Sequence, residues 1–220
     1  MEARVKTVVI VGHGPSLKGA RLGKAIDSAD KVVRLKNCHM LLAEPLDYGK
    51  RTDAMCSSTE VLPYLEKIKC EEYWGYPKKG DWNRACTNRF FRRMKKEVMV
   101  PLELCNLWNC FFLELGGQHP NVSTGMAAAI IALDRWQPDT LYLAGFDKVL
   151  APWTDGYQCT VPTAFNNGGK SDTGHDWSTE HRMLAYLCAH FNVRILDLAD
   201  VGREAPPTVK LQNEAAPCLQ

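Results

Sequence analysis

The chain predicts an α/β domain built on a mainly parallel sheet with helices on both faces. Three observations predict it. Residues 5–11 form an apolar, Val/Ile-rich run that stops at a glycine-containing turn, as a strand buried on both faces would. A second such run, TLYLAGF, ends at Gly145. Between and beyond them, β-rich segments alternate with helix-compatible ones, the order that βαβ units take. Strands are expected near 6–11, 31–35, 53–57, 97–101, 140–145 and 193–197. Helices are expected after the first strand and over 58–69, 123–135 and 178–190. With 220 residues, 45% of them apolar, the chain can bury a full core as one domain over 1–201. Residues 202–220, with paired prolines and polar residues, are expected to form an irregular tail.

The first strand leads into VGHGPSLKGARLG. Gly12 and Gly14 permit a turn that most residues would strain, and Pro15 and Ser16 suit the start of a helix, whose N–H groups and dipole favour an anion. The third glycine of G-x-G-x-x-G is absent, so the strict dinucleotide fingerprint is not met. The second segment, NVSTGMAAAIIALDRWQPDTLYLAGFD, repeats the arrangement. Ser123 or Thr124 can cap a helix beginning near Gly125, the alanines favour helix, and Pro138 lies just past its end. Gly145 ends the following strand and places Phe146 and Asp147 at a carboxyl end, where open α/β sheets bind ligands.

A third segment, TGHDWSTEHRML, holds His175 followed five residues later by Glu180. An imidazole that titrates near neutrality can accept a proton and release it at each turnover, and a carboxylate nearby can orient the ring. With a helix starting around Ser178, His175 lies in the loop before it and Glu180 in its first turn. Taken alone, such a pair is more often a surface histidine and an ordinary helix-start glutamate.

The three segments together resemble the animal-type sialyltransferase family, with its motifs L, S and VS. GHGPSLKGARLGKAIDSADKVVRLKN is similar to motif L, STGMAAAIIALDRWQPDTLYLAGF to motif S, and HDWSTE to motif VS. The resemblance implies a compact, Rossmann-like single domain, a GT-A-like sialyltransferase variant. It implies inverting transfer of a sugar, sialic acid or a relative, from a CMP-sugar donor to an acceptor hydroxyl, with no metal and no other cofactor. His175 becomes the general base and Glu180 its partner. Gly12, His13, Gly14, Pro15, Ser16, Arg34 and Asn37 from the first segment, with Ser123, Thr124, Gly125, Gly145 and Phe146 from the second, become the donor site. The acceptor is expected to be a glycan, with modified DNA a lesser candidate. A CMP-sugar hydrolase and a nucleotide-binding protein without transfer activity are the competing readings.

Several positions depart from the family's pattern. His13 stands where motif L has asparagine, and the motif's second asparagine, due two places after Arg34, comes only at Asn37. The aromatic motif between S and VS is not recognisable, although Trp153, Tyr157 and Gln158 lie in that region. A second histidine assisting the phosphate could be His13, His119 or His181. The cysteines that the animal enzymes link between L and S are replaced by Val8 and Trp136.

Composition narrows the remaining classes. Nine cysteines form an odd set with no disulfide framework and no zinc-type spacing, which suits a reducing compartment. There is no D-x-D pair, and no apolar stretch long enough for a signal or a membrane span, so a cytoplasmic location is expected. The net charge of +2 does not announce a nucleic-acid binder. The basic run NRFFRRMKKE is read as a solvated helix face with its aromatics turned to the core. Residues 147–174, rich in Gly, Asn, Asp and Thr, are expected to form a mobile flap over the donor.

Overall fold

In the computed structural model, the described residues are 4–36, 38–58, 68–76, 97–99, 102–117, 122–147 and 176–196. Asn37, His119, His175, the basic run up to position 96, nearly all of the expected 58–69 helix, the flap beyond Asp147 and the 202–220 tail lie outside them.

Among the described residues, seven strands form one parallel sheet: β1 (Thr7–Val11), β2 (Lys31–Leu35), β3 (Ala54–Ser58), β4 (Glu72–Tyr76), β5 (Glu97–Met99), β6 (Thr140–Ala144) and β7 (Val193–Ile195). Their order is β5-β4-β3-β2-β1-β6-β7. The chain adds strands outward from β1 on one side, then returns and adds β6 and β7 on the other. The strand order therefore reverses at the β1/β6 boundary, the place where open parallel sheets offer a ligand crevice. Val11 pairs with Arg34 of β2 and with Ala144 of β6, so these three strands end level.

Alternation along the strands divides the core. Val8, Ile10, Val33, Leu35, Leu141 and Leu143 pack against α3 (Leu102–Glu114), α4 (Thr124–Trp136) and α5 (Trp177–His190). Val9, Val11, Val32 and Ala144 face Leu17, Leu22, Ile26, Leu41 and Tyr48, which come from α1 (Gly23–Ser28), α2 (Pro45–Tyr48) and the turns around them. Ala127, Ala128 and Ala129 are fully buried, and their small side chains let α4 lie close to the sheet. Gln137, with φ of 44°, ends that helix in the left-handed region.

The expected strands all form, within a few residues at their ends, as do the helices over 123–135 and 178–190. Besides the short helical segments Cys38–Ala43 and Pro45–Tyr48, two elements were not anticipated. β4, EYWGY, is held by its side chains as well as by the sheet: Trp74 Nε1 donates to Glu72 Oε2 at 2.7 Å, and Arg135 of α4 pairs with both Glu72 oxygens at 2.6 and 2.9 Å. Burial works against the Glu72 charge, yet the Arg135 and Trp74 hydrogen bonds hold its carboxyl below the usual range. α3 is the second, and its outward side carries exposed Leu107 and Leu113. Where the resembled family has a disulfide, Val8 lies in the core and Trp136 packs against the same cluster, its ring 4.7 Å from that of Trp74. Of the described cysteines, Cys38, Cys56, Cys110 and Cys188 are free thiols. Burial pushes Cys38 up to about 12 and Cys188 up to about 11, which keeps both protonated and unreactive near neutrality.

A polar clasp closes the sheet face under α1 and α2. Asp27 accepts from the backbone N–H groups of Lys50 and Arg51 at 2.9–3.0 Å. Arg34, fully buried, donates from Nε to Arg51 O (2.8 Å) and Thr52 Oγ1 (3.1 Å), and from Nη2 to Tyr48 O (2.8 Å). Burial pulls its guanidinium below the usual arginine range. The two short helices touch through Gly23, whose α-carbon could carry a methyl only 2.0 Å from Pro45 O. Gly23→Ala is therefore expected to cost about 2 kcal/mol, the cost of an overpacked contact that the four-residue α2 can partly relieve by shifting. Urea unfolding measures it, and an unchanged midpoint would rule the contact out.

Candidate functional site at the carboxyl end of the sheet

The turn after β1 and the turn after β6 cross at the strand-order reversal. Gly12 N donates to Ala144 O at 2.7 Å and Gly14 N to Gly145 O at 2.9 Å. A methyl on Gly12 would fall 2.4 Å from Gly145 O, and one on Gly14 would fall 1.7 Å from Asp147 Oδ2. Gly145 has φ of +70° and lies against Leu17. These glycines thus serve the close passage of two backbones. Pro15–Leu17 is a single 3-10 turn, and its Ser16 N–H donates to the Asp147 carboxylate at 3.3 Å. The anion that the sequence expects at this helix start is, in part, the protein's own Asp147.

The second helix start is organised in the same way. Ser123 is the N-cap of α4, its Oγ accepting from Met126 N at 3.3 Å. The carboxylate of Glu180 accepts from Ser123 N–H at 2.7 Å and from Ser123 Oγ–H at 2.6 Å, and Glu180 is fully buried. Gly125, in the first turn of α4, has Phe146 and the end of Leu35 beside it, so a methyl there would fall 2.9 Å from the Phe146 ring. The start of α4 therefore sits over the ends of β2 and β6.

Glu180 belongs to the first turn of α5, which Asp176 caps by accepting from Thr179 N–H at 3.0 Å and Thr179 Oγ–H at 2.8 Å. The residue that follows His175 is thereby fixed beside a helix whose first turn is bonded to the start of α4. Both Glu180 oxygens bond Ser123, and the pairing with His175 that the sequence suggests lies outside the described residues.

Gly12, His13, Gly14, Pro15, Ser16, Ser123, Thr124, Gly125, Gly145, Phe146 and Glu180 thus come together from three distant stretches at one end of the sheet. Arg34 lies in the clasp beneath, bonded to backbone carbonyls, which makes it a support for the end of β2. His175 and Asn37 lie outside the described residues. His13 is half-buried, and burial together with the Lys36 ammonium lowers its imidazole to about 4, so it is neutral at ordinary pH. Two residues of this region were not singled out as site candidates in the sequence. Asp147 follows Gly145 and Phe146 directly, and Lys36 becomes visible only once Arg34 is set level with Val11. Among the described residues, no group of three His, Cys, Asp or Glu side chains is placed to hold a metal ion, and no helix is long and apolar enough to cross a membrane.

The parallel α/β sheet thus carries its glycine turns and two carboxylate-held helix starts at its reversal point, where open sheets of this class offer a ligand crevice. The family model of glycosyltransferase family 29 (sialyltransferase) matches residues 1–80. A crystal structure of a mammalian sialyltransferase superposes with a TM-score of 0.60 at 20% identity, covering 88% of this chain and 69% of that one. Another, of a mammalian sialyltransferase in complex with Gal-beta-1-3GalNAc-ortho-nitrophenol, gives 0.58 at 19% identity, covering 88% and 70%. No curated protein matches the chain in sequence. The chain thus shares the fold of these sialyltransferases, and its first 80 residues match the family's model.

Proposed function

We propose that the protein transfers sialic acid or a related sugar from a CMP-sugar to an acceptor hydroxyl, with inversion and without a metal. In this reading His175 takes the hydroxyl proton as the acceptor oxygen bonds to the sugar carbon. The bond from that carbon to the phosphate oxygen breaks, and its electron pair leaves with CMP. The observation that carries the reading is the Glu180–Ser123 contact, which bonds the helix just after His175 to the start of α4, above the crossing of the two glycine turns. A nucleotide phosphate at that end of the sheet would have hydroxyls, amides and backbone donors within reach, and such donors stabilise a departing phosphate. The mammalian structure that holds Gal-beta-1-3GalNAc-ortho-nitrophenol suggests a glycan acceptor.

Incubation with CMP-sialic acid and a panel of glycans is expected to yield a sialylated product. Free sugar and CMP alone would indicate a hydrolase, and an untouched donor a binding protein. The His175→Ala variant is expected to keep CMP affinity within about twofold while transfer falls at least about 100-fold, the scale of a lost general base. Equal transfer by variant and wild type would remove His175 from the mechanism.

A further inference from the structure

We infer that the outward face of α3 joins two copies of the protein, helix against helix in antiparallel order, about a two-fold axis at Cys110.

Four large apolar side chains stand exposed among the described residues, and two of them, Leu107 (66% exposed) and Leu113 (46%), belong to this one helix. Exposed Cys110 lies between them, and exposed Asn106 and Glu114 lie just outside them. The rotation of α3 about its axis is set by the other side, where Cys105, Trp108 and Phe112 are buried in the core. Phe111 closes one edge of the face, its ring 4.8 Å from that of Tyr186 of α5. The five outward residues are therefore presented together on a helix that cannot roll to hide them. Scattered surface leucines need no explanation, but a pair framed by polar groups on one helix face does.

The spacing makes the face its own complement. A helix turns about 100° and rises about 1.5 Å per residue, so Leu107 and Leu113 lie about 60° to either side of Cys110 and about 4.5 Å before and after it. Asn106 and Glu114, four residues away in each direction, lie about 40° to either side. A half-turn about an axis through Cys110 thus sets Leu107 of each copy against Leu113 of the other, and Asn106 of each against Glu114 of the other. This is the self-complementary pairing that a two-fold interface requires. The leucines leave water together, and the Asn106 amide can donate to the Glu114 carboxylate, so the acid gains a partner. The small Cys110 side chain at the axis admits the approach of about 8–10 Å that packed helices make. α3 contains no Lys or Arg, so it lacks the cations with which an interfacial helix holds anionic lipid. One helix pair buries less than the roughly 1,200 Å² of a stable interface, which makes the dimer reversible and dependent on concentration.

Sedimentation equilibrium of the whole protein, from about 10 to about 500 μM, is expected to show a monomer that becomes a dimer as concentration rises. A short bis-maleimide is expected to link Cys110 to Cys110 of the second copy, a product that Cys110→Ser abolishes. Leu107→Lys and Leu113→Glu should each weaken dimerisation at least about tenfold, with thermal melts showing that both variants fold. Mixed in equal amounts, the two variants are expected to recover a heterodimer, because antiparallel order brings positions 107 and 113 of different copies together with opposite charges. A protein that stays monomeric throughout, a dimer indifferent to either substitution, or one that yields no Cys110 link overturns the inference. So does a dimer that both substitutions break and the mixture fails to restore, since its helices then meet in another order.

Discussion

Gly12→Ala is expected to destabilise the protein by about 3 kcal/mol or more, and to do so at the heart of the candidate site. Overpacking a core usually costs about 1–3 kcal/mol because side chains can move aside. Here the new methyl would meet Gly145 O at 2.4 Å, Gly145 C at 3.1 Å and Ala144 O at 3.2 Å, all of them backbone atoms. Relief requires parting the end of β1 from the end of β6, which also breaks the 2.7 Å bond from Gly12 N to Ala144 O. Gly19→Ala is the matched control. It too is a glycine of the first loop, but nothing lies within 4 Å and only its φ of +77° opposes a side chain. That strain should cost about 1 kcal/mol. Urea denaturation of both variants decides the matter, and equal costs would show that the crossing is looser than described.

Glu180→Ala should lose about 2–4 kcal/mol, because it strips the acceptor from a buried N–H and a buried hydroxyl at once. Glu180 and Ser123 sit 57 residues apart, so no local rearrangement of one helix supplies a substitute. Glu180→Gln keeps an acceptor for the Ser123 N–H and a donor for its hydroxyl oxygen, and should recover roughly half of the loss. The readouts are the denaturation midpoint and, under the proposed function, the transfer rate, which should fall with Ala more than with Gln. An alanine variant within about 0.5 kcal/mol of wild type, the scale of an ordinary surface change, would remove the contact from the argument.

The central sheet was legible because its strands announce themselves. VVIVG, KVVRL and TLYLAG are β-branched or apolar runs that stop at turns, and burial on both faces demands that composition. β4 was missed for an opposite reason. EYWGY is preceded by Glu71 and followed by a Pro-Lys-Lys-Gly stretch, and its first residue, Glu72, is neutralised by Arg135, 63 residues away. α3 escaped because Leu107 and Leu113 put apolar residues on the side opposite Cys105, Trp108 and Phe112, which erases the one-sided periodicity that marks a helix. At the site, the sequence picked out loops that the structure sets together, but not the contacts their glycines and acids make. Gly12 and Gly14 read as a turn that admits an anion, and the structure adds a second backbone passing close beside both. The Glu180 carboxylate bonds the Ser123 cap, a contact across 57 residues that the sequence did not suggest. Such pairings connect residues through space, and no pattern along the chain encodes them.

The placement of β1 also bears on how the protein is made. Of the described strands β1 comes first along the chain yet lies inside the finished sheet, and its neighbour β6 is not complete until residue 144. Through most of translation the nascent chain therefore carries an uncovered edge of Val8, Val9, Ile10 and Val11, the kind of strand that recruits other chains. Chaperone capture should be strongest for ribosome-bound fragments that end before β6 and should drop once that strand can dock.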